Sequence, residues 1–308
     1  MTGVLPDWLW HPAALAALGL ALGSFLNVVI HRLPLMLERR WWGDVVHQLS
    51  DLDSYRRVFG GAAPEHLVQT ASGLRKAVDE WPRLSLARPA SRCPSCGHRI
   101  RPVENIPLLS WLLLRGRCSA CKTRISVRYP LVEAFCAVLF ALIGWRVGAH
   151  PQALLWCGFA AALVALSLID WDTTVLPDAI TLPLLWAGLL AAAFGWTLPL
   201  TAALAGAVAG YLSLWAVYWL FKLATGKEGM GYGDFKLLAA LGAWLGWQAL
   251  LPIILGASVI GAVIGIVMKI GGALREGRYV PFGPFLAGAG MAVMLVGTPT
   301  ALAWIGWG

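Results

Sequence analysis

Charged side chains are scarce in this sequence. Only 13% of its 308 residues are Asp, Glu, Lys or Arg, where a soluble domain carries about a quarter. Together with 58% hydrophobic residues and 17 tryptophans, that scarcity excludes an ordinary water-soluble fold. Solenoid-type repeats and low-complexity tracts are also missing. The first apolar run lacks a basic segment before it and is followed by basic residues, so it reads as a retained helix and not as a cleavable signal peptide.

What the chain has instead is apolar length. Runs of the roughly 17 to 25 residues that cross a bilayer fall at about 11–30, 130–148, 152–169, 179–197, 198–221, 236–252, 253–271 and 284–306. The expected fold is an all-α polytopic membrane protein of about eight transmembrane helices, divided into a first helix (1–30), a polar loop domain (31–128) and a seven-helix membrane domain (129–308). Within the loop, 43–82 is mixed in charge and reads as a surface insertion of modest order, whereas 88–128 holds cysteines and reads as a compact module.

Lys and Arg set the expected orientation. Seventeen of the 24 lie between Arg32 and Arg128, which puts that loop in the cytoplasm and the N-terminus, with Asp7 alone, outside. The turns at 170–178 and 222–235 (Lys222, Lys227) and the loop 272–283 (Arg275, Arg278) then return to the cytoplasmic side. Connections near 149–151 and 197–199 carry no Lys or Arg, and Arg146 is the one basic residue out of place. Anionic lipid headgroups explain the net charge of +8. No nucleic-acid-binding module accompanies it.

Four of the six cysteines form Cys93-x2-Cys96 and Cys118-x2-Cys121, separated by 21 residues. Each pair places two thiolates on one tight turn, and two such turns close a tetrahedral zinc shell at about 2.3 Å. Four thiolates leave no open position, so the expected zinc is structural. Disulfides would require an extracellular loop, against the charge distribution. His98 reads as a solvated loop histidine. Cys136 and Cys157 lie in apolar runs and read as small packing residues.

Carboxylates beside a bilayer core are functional candidates because they are costly there. One cluster is Asp170, Asp172 and Asp178; another is Asp234 in Gly231-Tyr232-Gly233-Asp234. Two carboxylates that meet at such a boundary share one proton, so that the ionised member activates water while the protonated one polarises a carbonyl. Asp170 and Asp172 would be about 200° apart on a continuing helix, and Asp170 is the deeper. Asp178, after Pro177, reads as a helix cap. Asp234 is either a cap or catalytic, and its glycines let a backbone approach closely. Lys236 either steadies that carboxylate or meets a lipid phosphate.

The G-x-G-D arrangement resembles that of intramembrane aspartyl proteases, and the chain resembles the type IV prepilin peptidases, bifunctional leader peptidases and N-methyltransferases of pilus and type II secretion systems. The likeness runs through Gly23–Pro34, both cysteine pairs, Glu104–Trp111, Arg128–Glu133, 168–178 and 226–238, leaving out about 43–82. It implies that Asp170 and Asp234 are the catalytic dyad. It implies a prepilin or pseudopilin substrate with a short basic leader, cut after glycine at the cytoplasmic face of the bacterial inner membrane. The new N-terminal residue would then be methylated with S-adenosylmethionine. No dinucleotide-type glycine turn is present, so a soluble methyltransferase fold is not expected.

Among the polar residues of these motifs, Asn27, Glu104, Asn105 and Glu133, the candidates for holding the amine or the charged end of the methyl donor are Asn27 and Glu133. Plain helix-to-helix hydrogen bonding is their alternative. Gly116 allows a tight turn into the second cysteine pair. An ion-coupled transporter would also use membrane carboxylates, but it should show broken midplane helices in repeats. A zinc-bearing scaffold without catalysis is a third reading.

Overall fold

A computed structural model describes residues 10–148, 150–272 and 280–307. Asp7, Arg275 and Arg278, used above for orientation, lie outside the described residues. The helices are α1 (Pro12–Ser50), α2 (Leu52–Phe59), α3 (Glu65–Asp79), α4 (Leu109–Leu113), α5 (Arg128–Val147), α6 (Gln152–Thr173), α7 (Asp178–Ala193), α8 (Leu200–Thr225), α9 (Tyr232–Leu245), α10 (Leu250–Ile270), α11 (Gly283–Val296) and α12 (Thr298–Trp304). Among the described residues the only β pairing is two isolated bridges. The all-α membrane class is as expected.

The number of spans is smaller than the eight expected. Five helices are long and apolar enough to cross, namely α1, α5, α6, α8 and α10, and α11 with α12 makes a sixth if that pair, bent by 112°, is counted as one. α7 is apolar but has only 16 residues. The run at 236–252 is broken, because α9 stops before Gly246, whose φ is +84°. At about 1.5 Å per residue, the 14 residues of α9 reach about 21 Å, short of the roughly 30 Å hydrocarbon core. It does not need to span. Ten of its residues are buried among α7, α8 and α11, so protein and not lipid surrounds it.

Small residues bring the helices together. A Cβ at Gly206 of α8 would collide with the Gly242 carbonyl oxygen of α9, and one at Gly210 would lie 2.6 Å from the Leu238 oxygen. Gly23 of α1 likewise lies against the Glu133 Cα of α5. Two apolar cores result: one joins α1, α5 and α6 and contains Cys136 and Cys157 as packing residues, and the other runs from α6 to α11 around α9. Arg146 turns out to donate to the Leu295 carbonyl at 3.1 Å, at the C-terminal end of α11, where a cation is favoured.

The polar region is more ordered than its composition suggested. α1 does not stop near residue 30 but runs to Ser50 through Pro34, which costs it one backbone donor. α3 folds back on it, burying Val46 and Ala71. Arg32 and Arg39 of α1 donate to the carbonyls of Ser85 and Pro82 at 2.9 and 2.8 Å, which ties down the chain that leads to the cysteines.

Because the α8–α9 contact is backbone on backbone, Gly242→Val should destabilise the bundle by about 1–3 kcal/mol. A lowered midpoint of thermal unfolding in detergent is the expected result, whereas Gly43→Ala, inside α1 where a Cβ meets open space, should not lower it.

Candidate active site

Three helix ends meet around two buried carboxylates. Asp170 lies in the last turn of α6 and is 5% exposed, and Asp234 lies in the first turn of α9 and is 7% exposed. Thr174 ends α6 in the left-handed region, its N–H bonded to the Asp170 carbonyl at 2.8 Å. The chain then turns back through Leu176. A Cβ on Gly233 would lie 2.8 Å from the Leu176 Cβ, so the second glycine of the motif is required by this returning strand of chain. At the head of α11 the Gly283 N–H donates to Asp170 Oδ2 at 3.1 Å, and a Cβ there would come within 2.5 Å of that oxygen. Gly283 was not singled out by sequence; the Gly283-Pro284 pair opening an apolar run was the available signal.

The other two aspartates are neutralised. Arg128, at the start of α5, grips Asp172 through both oxygens at 2.9 and 2.7 Å, a bidentate pairing that is stronger and more directional than a single bond. Lys236 does not steady Asp234; its Nζ meets both oxygens of Asp178 at 2.8 and 2.7 Å. Asp178 makes no side-chain capping bond at α7, so its expected cap role gives way to this ion pair. Among the described residues Asp170 and Asp234 have no cation partner, and both stand buried where the end of α6 meets the head of α9. Such a pair can hold one proton between two oxygens and act on a water.

The cysteine module is duplicated. Arg92-Cys93-x-x-Cys96-x-x-Arg99-Ile100 and Arg117-Cys118-x-x-Cys121-x-x-Arg124-Ile125 fold alike, each closed by one bridge between its two arginines. Cys93 N bonds His98 O, and Cys118 N bonds Thr123 O, both at 2.9 Å. Gly97 and Lys122 take the same left-handed turn at φ +71° and +59°. All four sulfurs lie within 4.8 Å of one another and none is in a disulfide. A hydrogen-bonding contact with the Thr123 hydroxyl pulls the Cys121 thiol down to about 6. The Cys93–Cys121 separation of 3.7 Å fits the edge of about 3.8 Å of a tetrahedron with bonds of about 2.3 Å. The cluster is compatible with zinc.

His98 is not a free loop histidine. Its Nε2 lies 3.1 Å from Glu104 Oε2 and 3.3 Å from Ser119 Oγ, stitching one knuckle to the other. Glu104 also accepts the Arg101 N–H, and this bond, with Ser119 and His98, holds its carboxyl down at about 2. Gly116 makes the tight turn expected of it, at φ +65°, with Trp111 packed on it. Asn105 ends a short 3-10 turn and has no side-chain bond among the described residues.

Asn27 and Glu133 sit on the side of the bundle built by α1 and α5. Asn27 Nδ2 donates to the Tyr129 carbonyl at 3.2 Å, and buried Glu133 accepts the Leu108 N–H at 2.8 Å. Neither is bonded to Asp170 or Asp234. The Leu108 bond draws the loop between the knuckles down beside α5 and leaves Leu109, Leu112 and Leu113 of α4 50%, 62% and 74% exposed.

With this geometry in hand, comparison with known proteins gives a consistent result. Residues 17–147 match the bacterial peptidase A24 N-terminal domain and residues 157–266 the type IV leader peptidase family. A Pseudomonas putida protein named prepilin leader peptidase/N-methyltransferase is 53% identical over 91% of this chain and 88% of its own length. Proteins of the same name from Pseudomonas aeruginosa (49%, covering 93% of this chain and 92% of the relative) and Aeromonas hydrophila (49%, covering 90% and 88%) are similarly close. No solved structure matches the chain.

The exposed Arg128–Asp172 pair should contribute only about 0.2–1 kcal/mol. Reversing either charge alone should lower the thermal midpoint in detergent, and the swap of Arg128→Asp with Asp172→Arg should recover most of the loss.

Proposed function

This chain belongs to the type IV leader peptidase family, and from that premise we propose that Asp170 and Asp234 are the carboxylates that cut the leader of a prepilin. The activity is that of a prepilin leader peptidase and N-methyltransferase, and its substrates are prepilins and pseudopilins. The observation that supports the residue assignment is the sorting of these four aspartates: two are held by cations, and two are buried with no cation partner among the described residues. In that pair one proton is shared, so one carboxyl draws a proton from water while the other hydrogen-bonds the scissile carbonyl. The Gly283 N–H fixes Asp170 for this work. Ion-coupled transport, the rival reading, finds no support among the relatives.

Methylation follows on the new N-terminus. S-adenosylmethionine, when bound, supplies the methyl group. Glu133 keeps Oε1 free of hydrogen bonds among the described residues, which suits a carboxylate that faces a cationic amine or sulfonium; Asn27, bonded across to α5, orients the same wall. Cys93, Cys96, Cys118 and Cys121 hold a structural zinc ion, a reading their tetrahedral spacing supports. We take the protein to sit in the bacterial inner membrane with its N-terminus outside. The basic loop supports a cytoplasmic position for the knuckles, and the Arg128–Asp172 bond, which joins the Asp170 end of α6 to the head of α5, supports the same side for the proposed dyad. On this reading the membrane domain 129–308 serves cleavage, Asn27 of the first helix and Glu133 at the head of α5 serve methylation, and lipid surrounds the helices.

Asp170→Asn and Asp234→Asn should each slow prepilin cleavage by more than about a thousandfold, read by mass spectrometry of the pilin N-terminus. Cleavage at the unsubstituted rate in either variant would refute the assignment. Elemental analysis should find about one zinc per chain, lost on Cys93→Ser.

A further inference from the structure

A groove opens sideways between α5, α6 and α11. Its volume is about 500 Å³. Leu131 and Phe135 of α5 form one wall and are 61% and 51% exposed. Ser167 and Leu168 of α6 form the back, and Pro284 and Met291 of α11 form the other wall. Between the last two lies exposed Gly288, at whose missing Cβ there is open space. Positions 284, 288 and 291 share one helix face, so this wall carries a notch that no side chain of the protein fills. From Pro284 to Met291 the groove follows about 10 Å of helix, enough for two turns of a partner.

Where the groove ends is informative. Pro284 follows Gly283, the residue whose N–H holds Asp170, and Ser167 is one turn before Asp170 on α6. Arg128, paired with Asp172, stands at the same mouth. An apolar helix lying in the groove would therefore pass its polar end beside the dyad. A lipid chain would fill the apolar length equally well but gains nothing from a mouth built of an ion pair and a carboxylate.

We propose that this groove binds the apolar helix of the substrate, the segment that follows the leader, with Gly288 as the point of closest approach. A glycine at that place lets two backbones come together in lipid, where packing and not hydrophobicity drives association. The groove then decides which membrane helices are presented to the dyad, and it binds them before and after cleavage alike. This inference rests on the peptidase reading of the site.

The test uses the full chain in lipid nanodiscs with a purified prepilin. The photocrosslinker p-benzoylphenylalanine is placed at Phe135, or at Trp186 of α7, which is exposed elsewhere on the bundle. The expected result is a pilin adduct from position 135 and little from 186. Gly288→Leu, whose Cβ meets open space, should abolish that adduct and raise the KM for prepilin about tenfold with kcat unchanged, the signature of lost binding common to ground and transition states. Lipid-only adducts at 135, equal pilin yields at both positions, or an unaltered KM in Gly288→Leu would each overturn the proposal. Failure of the dyad is separable: Asp170→Asn and Asp234→Asn would still cut, with the adduct from position 135 retained.

Discussion

A carboxylate at the edge of a bilayer core is tolerable only if protein encloses it, and the bundle is arranged to enclose two. The burial of α9 is the means. Ten of its 14 residues are hidden because α8 meets it backbone to backbone at Gly206, Gly210 and Gly242 and because Trp244 fastens it to α7 through the Leu184 carbonyl at 2.8 Å. A helix so held delivers Asp234 to a fixed place. α6 and α11 complete the enclosure from the other side, with one backbone amide directed at Asp170.

Enclosure alone would not make a reactive pair. Among the described residues, four charged groups beside the buried carboxylates are spent on each other: Arg128 on Asp172 and Lys236 on Asp178. Had either cation reached Asp170 or Asp234, that carboxylate would sit in an ordinary ion bridge, and the proton sharing proposed for the pair would be lost. The bridges also lock α5 to α6 and α9 to α7, so that the same bonds which keep cations away from the dyad hold its helices in register.

Much of this was legible in the sequence. Glycine-flanked Asp234, the deeper position of Asp170 and the paired cysteine knuckles all carry local signals whose chemistry is short-range. What could not be read was enclosure. Beyond Lys236 α9 is apolar all round, and a helix of that kind surrounded by protein has the composition of one surrounded by lipid, which is why 236–252 resembled a span. His98, Lys236 and Asp178 were misjudged for a related reason, since their partners lie 6 to 58 residues away and only the fold selects them. The duplicated Arg-Cys-x-x-Cys-x-x-Arg-Ile unit was open to reading, but the two copies are too short to stand out as a repeat of solenoid size.

The bond from Leu108 to Glu133 has a mechanical consequence. Glu133 lies five residues into α5, so the loop joining the knuckles dips about 7 Å below the start of that helix, and the leucines of α4 are left facing outward at the same depth. The knuckle module is thus moored at its waist and cannot swing on its flanking chain as a tethered domain would. Its position follows that of α5, which Arg128 and Asp172 link to α6. The knuckles and the carboxylate end of the bundle thus belong to one frame and not to two bodies joined by a tether.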